Sequence, residues 1–368
     1  MAKDTVAALI IAAGYSSRMH DFKPLLSFEK TNAIKRLVQT YETFGIEHIY
    51  VVVGYLKEEI IATLRGYNVH IVYNEAFDQG MFSSIQKGIK AMDETVEAFY
   101  MNPVDIPLIK TQTLERLYEA YVREKKGVVY PVFLGRKGHP PLIDRKYQNA
   151  ILSSKGEGGL KNVLETLEHD ALHVDVCDQS ILMDMDEKED YFALLRYDAM
   201  NVPTKEECLA IMRLNDVPEP IIKHCEAVGK TVLALLNEIS LCHLVFDKNA
   251  LLAAAYLHDI ARQEKDHAKV GAEKLCAMGY ETIGDMIATH MDITVDRKAP
   301  LSANELLFLA DKLVCETEVC GYEKRFEKAL KKCEGNLEAQ RHIAQRLEAV
   351  KMIIAKIEQC TCKVFAYG

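Results

Sequence analysis

Two groups of residues in this chain are suited to chemistry on phosphate. The first runs Leu9-Ile10-Ile11-Ala12-Ala13-Gly14-Tyr15-Ser16-Ser17-Arg18-Met19 and is closed by Lys23-Pro24-Leu25-Leu26. A glycine turn directly after an apolar run lets backbone N–H groups approach phosphate oxygens. Ala12, Ala13, Gly14, Ser16 and Ser17 supply that turn, and Arg18 and Lys23 add two cations to neutralise a transferring phosphoryl group. The second group is His224, His258-Asp259 and Asp311, with His267 and His290 between them. Imidazoles and carboxylates converging from separate elements are what a metal site requires. Asp259 and Asp311 interrupt apolar runs, where a charge is costly unless it is paired or coordinated. The first set suits making a nucleotide bond on a phosphate, and the second suits metal-assisted cleavage of one.

The elements that must position these residues change character near residue 200. Before it, short β-rich runs (VAALIIAAG, HIYVVVGY, VHIVYN, AFYMNPVD, GVVYPVF, HVDV) alternate with amphipathic stretches (AIKRLVQTYETFG, EEIIATLRGY, SSIQKGIKAM). That alternation predicts an α/β unit: a Rossmann-like, mostly parallel sheet with helices on both faces. Ligands in such sheets sit beyond the C-terminal ends of the strands, where Gly14–Lys23 and Pro103–Pro107 both fall. From Thr204 onward helical periodicity dominates, ending in a charged amphipathic stretch from Tyr322 to about Ala355, which predicts an all-α unit. Pro203 breaks the preceding run and Thr204 can cap the next helix. The expected domains are 1–199 and 203–368.

A chain of 368 residues is long enough for roughly two cores. Its net charge of -9 argues against broad duplex nucleic-acid binding but leaves room for a small anionic ligand in a locally cationic pocket. The N-terminal apolar run is too short to span a bilayer and is broken by Gly14, so neither a signal peptide nor a membrane segment is expected. Of ten cysteines, nine follow residue 200 and none forms a CxxC pair, so reduced thiols and a cytoplasmic location are expected. Cys360-Thr-Cys362 is weak evidence for metal, and His243 alone reads as a partly exposed helix residue.

The glycine loop closed by KPLL resembles the nucleotide-binding signature of small-molecule nucleotidyltransferases, in particular the molybdenum cofactor cytidylyltransferase branch. Further segments follow in that family's order. Asn74 through Gly80-Met81 to Ser83-Ser84-Ile85 resembles its Nx(5)GMxxSI segment, and Pro103-Val104-Asp105-Ile106-Pro107 its PxDxP segment. Gly138-His139-Pro140 resembles its GHP segment, and Asp184-Met185-Asp186 with Asp190 its acidic close. The chain departs from the pattern at His20, where the family commonly has glycine, and in lacking Thr-Pro after Asp186. The H…HD…D spacing of the second half resembles the HD-domain metal-dependent phosphohydrolases.

The first resemblance implies Mg²⁺-dependent transfer of CMP from CTP to the molybdenum cofactor with release of pyrophosphate. Asp105 would hold the metal with Asp184 or Asp186 as partner. Asn74, Gly80, Ser83 and Ser84 would shape the nucleotide site, and His139 would either shape the pocket or cap a turn. A different phosphorylated acceptor, such as a sugar phosphate or phospho-alcohol, is the alternative. A molybdenum hydroxylase receiving the product is a conceivable partner that no sequence patch identifies. The second resemblance implies phosphoester hydrolysis at a transition metal such as Mn²⁺, Fe²⁺ or Ni²⁺, since imidazole ligands disfavour a pure Mg²⁺ site. His267 and His290 would bind a second metal or contact phosphate, and Lys312 would neutralise phosphate or pair with a carboxylate. A nucleotide-binding regulatory module without hydrolysis is the alternative for this half.

Overall fold

The structure, a computed structural model, describes residues 3–16, 19, 21–240, 242 and 244–365. Ser17, Arg18, His20 and His243 lie outside the described residues. The chain divides into two compact units, 1–199 and 200–368.

In the first unit, β1 (Val6–Ala12) is followed by the small hairpin β2 (Ser27–Phe28) and β3 (Thr31–Asn32) and by helix α1 (Ala33–Phe44). Then come β4 (His48–Val53), α2 (Lys57–Thr63), β5 (His70–Tyr73), α3 (Met81–Ala91), β6 (Ala98–Pro103) and α4 (Thr111–Glu124). β7 (Val128–Phe133), β8 (Arg136–Lys137), β9 (Leu142–Asp144), α5 (Gln148–Ser153), α6 (Gly159–Glu165), β10 (Ala171–Asp175) and α7 (Lys188–Asp198) complete it. The sheet order is β10-β7-β9-β6-β1-β4-β5, with β8 on the side of β7. Every residue of β1 is buried, as expected for a central strand covered on both faces. β6, β1, β4 and β5 run parallel, so their C-terminal ends lie at one edge of the sheet. β9 runs antiparallel between β6 and β7. The sheet is therefore mostly parallel, as the alternation predicts. The short strands β8 and β9 carry no period long enough to be read from sequence.

The second unit is helical: α8 (Lys205–Leu214), α9 (Glu219–Glu238), α10 (Lys248–Leu257), α11 (His267–Ala277), α12 (Glu281–Ala288) and α13 (Ala303–Leu313). The two-stranded hairpin β11 (Val314–Cys315) and β12 (Glu318–Val319) is an addition to the expected all-α pattern, and α14 (Tyr322–Lys332) and α15 (Leu337–Thr361) end the unit. Thr204 does cap α8, in a reciprocal capping box with Glu207. α13 is buried from Glu305 to Leu313, which makes it the central helix of the unit. Glu305 is held there by Lys356 Nζ of α15 at 2.6 Å. No described helix is long and apolar enough to cross a membrane.

The expectation of reduced thiols fails for four cysteines. Cys242 is paired with Cys360 and Cys315 with Cys320. The fold brings their Cα atoms to 5.6 and 5.7 Å, inside the range a disulfide bridges. The first pair closes a separation of 118 residues, which local sequence cannot reveal. It also removes Cys360 from any metal reading of Cys360-Thr-Cys362.

α3 crosses β1 and β4 at Gly88, where a Cβ would overlap the side chains of Leu9 and Val52. Both neighbours are fully buried and have no space to withdraw into. Gly88→Ala is expected to destabilise the first unit by about 1–3 kcal/mol, the overpacking cost outweighing the helix-propensity gain. Urea unfolding of the full chain followed by circular dichroism reads this as a lowered midpoint.

Candidate active sites

In the first unit the glycine loop leaves the C-terminal end of β1, and its described residues are stitched from within. Ser16 takes a positive φ of 56°, its hydroxyl accepts the Lys23 N–H at 3.1 Å, and its carbonyl accepts from Met19. The next strand end is tied in when the Tyr55 N–H donates to Ala13 O at 3.1 Å. A cavity of about 510 Å³ opens there, lined by Ala12, Gly14, Ser16, Lys23, Asp105 and Asp186 among others. Lys23 Nζ lies 3.0 Å from Asp186 Oδ1 and 3.7 Å from Asp105 Oδ2. Burial pushes the Asp105 carboxyl up, Lys23 opposes this, and Asp184 and Asp186 add to the rise. Three carboxylates thus share one corner, with Lys23 as the cation between two of them. The segment carrying Asp186 is anchored to β6 through the Met185 N–H, which donates to Asp105 O at 3.0 Å.

Other expected residues are placed differently. Asn74 is buried, and its side-chain amide donates to Ser83 Oγ at 2.9 Å and Ser84 Oγ at 3.0 Å while its oxygen accepts from Ala76 N. Ser83 Oγ also reaches the carbonyls of Ala76 and Gly80. Asn74 and Ser83 therefore brace the 74–84 loop from behind, whereas Gly80 and Ser84 line the cavity. Asp184, Ala13 and His139 are not among the lining residues. The His139 backbone N–H donates to Ile181 O, its Nδ1 is buried without a hydrogen-bond partner, and burial pushes its imidazole pKa down.

Sequence reasoning missed an aromatic rim. Tyr15 lies 5.2 Å from Tyr55 and 5.1 Å from Phe77 between ring centroids, and Phe22 lies 5.9 Å from Tyr55. Gly54 permits this packing, since a Cβ there would meet Phe77 and Ala13 O at 2.6 and 2.7 Å. Tyr15 is nevertheless 53% exposed, a planar ring on the wall of the cavity. The rings come from three loops far apart in sequence, so no local pattern points to them.

In the second unit the six expected residues meet. His258 and His290 each donate Nδ1–H to a carbonyl within their own helix turn, Ala255 O at 2.8 Å and Ile287 O at 2.6 Å. That fixes the tautomer in which Nε2 carries the free lone pair. Both Nε2 atoms, with Asp259 Oδ1, are buried and have no hydrogen-bond partner. Asp259 stands between the rings: its Oδ2 is 3.6 Å from His258 Nε2, and its Oδ1 is 3.4 Å from both His267 Nε2 and His290 Nε2. Two groups have metal-ligand spacing, His224 with His258 and Asp259, and Asp259 with His267 and His290. Orphaned acceptors converging in a buried site are what a bound cation would satisfy, so this set fits a metal. Burial pushes His258 down to about 4, leaving it neutral and able to ligate at neutral pH.

Asp311 is held differently. Its Oδ1 lies 3.1 Å from His224 Nε2, 3.2 Å from an Arg325 nitrogen and 3.9 Å from His258 Nε2, while Oδ2 lies 2.5 Å from Lys312 Nζ. Burial alone would raise its carboxyl, but Lys312 and then Arg325 hold it well below the usual range. Lys312 is thus the partner of a carboxylate in this structure, which settles one of its two sequence readings.

The comparisons with known proteins follow the same division. The family model for the MobA-like NTP transferase domain matches residues 8–172, and the HD domain model matches residues 221–314. The chain carries a MobA-like NTP transferase domain and an HD domain. The molybdenum cofactor cytidylyltransferase of Escherichia coli is 24% identical over 187 residues, covering 50% of this chain and 93% of that protein. The bifunctional protein GlmU of Francisella tularensis is 29% identical over 144 residues, covering 39% of this chain and only 31% of that protein. A solved nucleotidyl transferase from Methanothermobacter thermautotroptrophicus superposes with a TM-score of 0.47 at 21% identity, covering 53% of this chain and 97% of that one. The transferase model contains Gly14, Lys23 and Asp105 but stops before Asp184 and Asp186. The HD model contains all six histidine and aspartate residues and stops before α14.

Asp311→Ala would leave Lys312 buried without its counter-ion and is expected to destabilise the HD unit by about 3–5 kcal/mol. Asp311→Ala combined with Lys312→Met should recover most of that loss. Thermal unfolding of the two variants beside the parent chain checks the difference.

Proposed function

We propose that the chain is a bifunctional enzyme, with a cytidylyltransferase-type reaction in the first unit and phosphoester hydrolysis in the second. The observation that carries the first half is the meeting of Lys23 with Asp105 and Asp186 at the mouth of the glycine-loop cavity. The match along 93% of a cytidylyltransferase supports CTP as donor and the molybdenum cofactor as acceptor.

In this reading Asp105 and Asp186 hold Mg²⁺, with Asp184 adjoining, because hard carboxylate oxygens suit that ion. When bound, that ion would supply positive charge to offset the negative charge growing on the reacting phosphates. The loop at Gly14–Ser16 receives the triphosphate. Lys23, released from the carboxylates, neutralises a phosphate oxygen. An acceptor phosphate oxygen forms the new bond to the α-phosphorus, and the α–β bridging bond breaks with its electron pair leaving on pyrophosphate. No covalent enzyme intermediate is needed.

In the HD unit His224, His258, Asp259 and Asp311 would hold one transition metal, such as Mn²⁺, Fe²⁺ or Ni²⁺, and Asp259, His267 and His290 a second. When bound, such metals lower the pKa of a coordinated water. Hydrolysis would join a water oxygen to phosphorus as the ester P–O bond breaks, with a water proton passing to the leaving oxygen. Arg262, 3.0 Å from His267 and 3.6 Å from Asp259, stands where it can stabilise the phosphate.

Incubation with CTP, Mg²⁺ and molybdenum cofactor should release pyrophosphate and yield the cytosine dinucleotide. Asp105→Ala should lower that rate roughly 100-fold or more, as losing a transition-state charge partner does. If GTP or ATP is used equally well, or the parent chain forms no dinucleotide, the cytidylyl reading fails. For the HD unit, Asp259→Ala should lose bound metal by elemental analysis, because that carboxylate is common to both ligand groups. Metal retained in full by this variant would contradict the assignment, while a metal-loaded parent inert toward every phosphoester would favour a binding module.

A further inference from the structure

A cavity of about 760 Å³ opens on His224, Asp259 and Asp311. Its size suits a whole organic ligand rather than a single phosphate group. Its far wall is built by α14 and α15, which begin after residue 314 and so lie outside the HD family match. In a chain of net charge -9 the cavity is lined by six cations against four carboxylates. Three of those cations, Arg325, Lys332 and Arg346, come from α14 and α15.

These cations are prepared to different degrees. Arg325 is fixed by Asp311 at 3.2 Å and by Val314 O. Arg346 is held by a two-pronged bond to Asp292 at 2.7 and 2.9 Å. Lys332, on the last turn of α14, is exposed and has no ion-pair partner among the described residues, and neither has Lys223 on the facing α9. Arg325 begins at the histidine and aspartate cluster, and Lys332 follows it two turns along the same helix, so positive charge runs away from the cluster. Phe326, Ile343 and Met291 add an apolar surface in the same cavity.

A single phosphate at the cluster would leave Lys332 and Lys223 without an anionic partner among the described residues. We propose that α14 and α15 make this a site for an organic polyphosphate, a ligand with two or more linked phosphates and a planar or apolar group. The terminal phosphate lies at the cluster, the next ones reach Arg325 and Lys332, and the organic part rests on Phe326 and Ile343. The inference rests on the phosphoester reading of the HD unit and names its substrate class.

The test uses the full chain with Mn²⁺, carrying Lys23→Glu and Asp105→Ala so that the transferase site does not bind triphosphate. Inorganic tripolyphosphate, ATP, orthophosphate and p-nitrophenyl phosphate are compared by calorimetry and by phosphate release. The expectation is that tripolyphosphate and ATP bind at least tenfold more tightly than orthophosphate. Lys332→Glu should weaken both by about tenfold, while orthophosphate changes less than twofold. For hydrolysis, Lys332→Glu should raise the KM for ATP and leave kcat for p-nitrophenyl phosphate unchanged. Equal affinity for mono- and polyphosphates, or a Lys332→Glu variant indistinguishable from its parent, overturns the inference even where hydrolysis is observed. Tight, Lys332-dependent polyphosphate binding with no hydrolysis of any probe would instead defeat the hydrolase reading and leave the ligand class standing.

Discussion

Meeting closely placed carboxylates with cations is the interaction on which both sites depend. An isolated buried carboxylate costs several kcal/mol, so each must be met by a cation or by directed donors. Asp311 shows the consequence for architecture. Its partners come from three helices: His224 from α9, Lys312 beside it on α13, and Arg325 from α14. Those helices cannot shift far apart without exposing or orphaning the charge, so one carboxylate helps to fix the packing of the unit. It also lets α13 remain buried along its length although it carries Glu305, Asp311 and Lys312. Glu305 follows the same rule through Lys356.

Much of this was legible in the sequence because the relevant signals are local. β1 reads as a continuous apolar run because a central parallel strand is covered on both faces. Thr204 and Glu207 announce their helix at the spacing a capping box needs. The histidine and aspartate residues stood out because charge inside an apolar helix demands a partner. What local patterning could not show was the direction of a side chain. Asn74 and Ser83 look like ligand-binding residues from type and spacing, yet they spend their hydrogen bonds on one another and on the loop. Arg325 and Arg346 belong to helices whose charged faces resemble ordinary solvated surface, and only the fold turns those faces toward a cavity. The aromatic rim fails for a related reason, since Tyr15, Tyr55 and Phe77 are brought together only by the closeness of parallel strand ends.

The two sites differ in how far the protein alone satisfies them. In the transferase unit Lys23 already bridges Asp105 and Asp186, so the carboxylates are partnered before any nucleotide arrives. The bridge is a single flexible amine that is exchangeable for a metal and a triphosphate arriving together. In the HD unit the cation nearest Asp259 is Arg262, which approaches Oδ1 only to 3.6 Å. His258 Nε2, His290 Nε2 and Asp259 Oδ1 are buried without a hydrogen-bond partner, and the rings cannot rotate to relieve this without breaking the Nδ1 bonds to Ala255 and Ile287. Leaving three buried polar atoms unsatisfied costs about 1–3 kcal/mol each. A flexible carboxylate site closed by lysine suits a hard ion that comes and goes with substrate. A rigid nitrogen-rich site suits an ion that stays, and this contrast in donor preparation separates the two chemistries more sharply than the identity of the residues does.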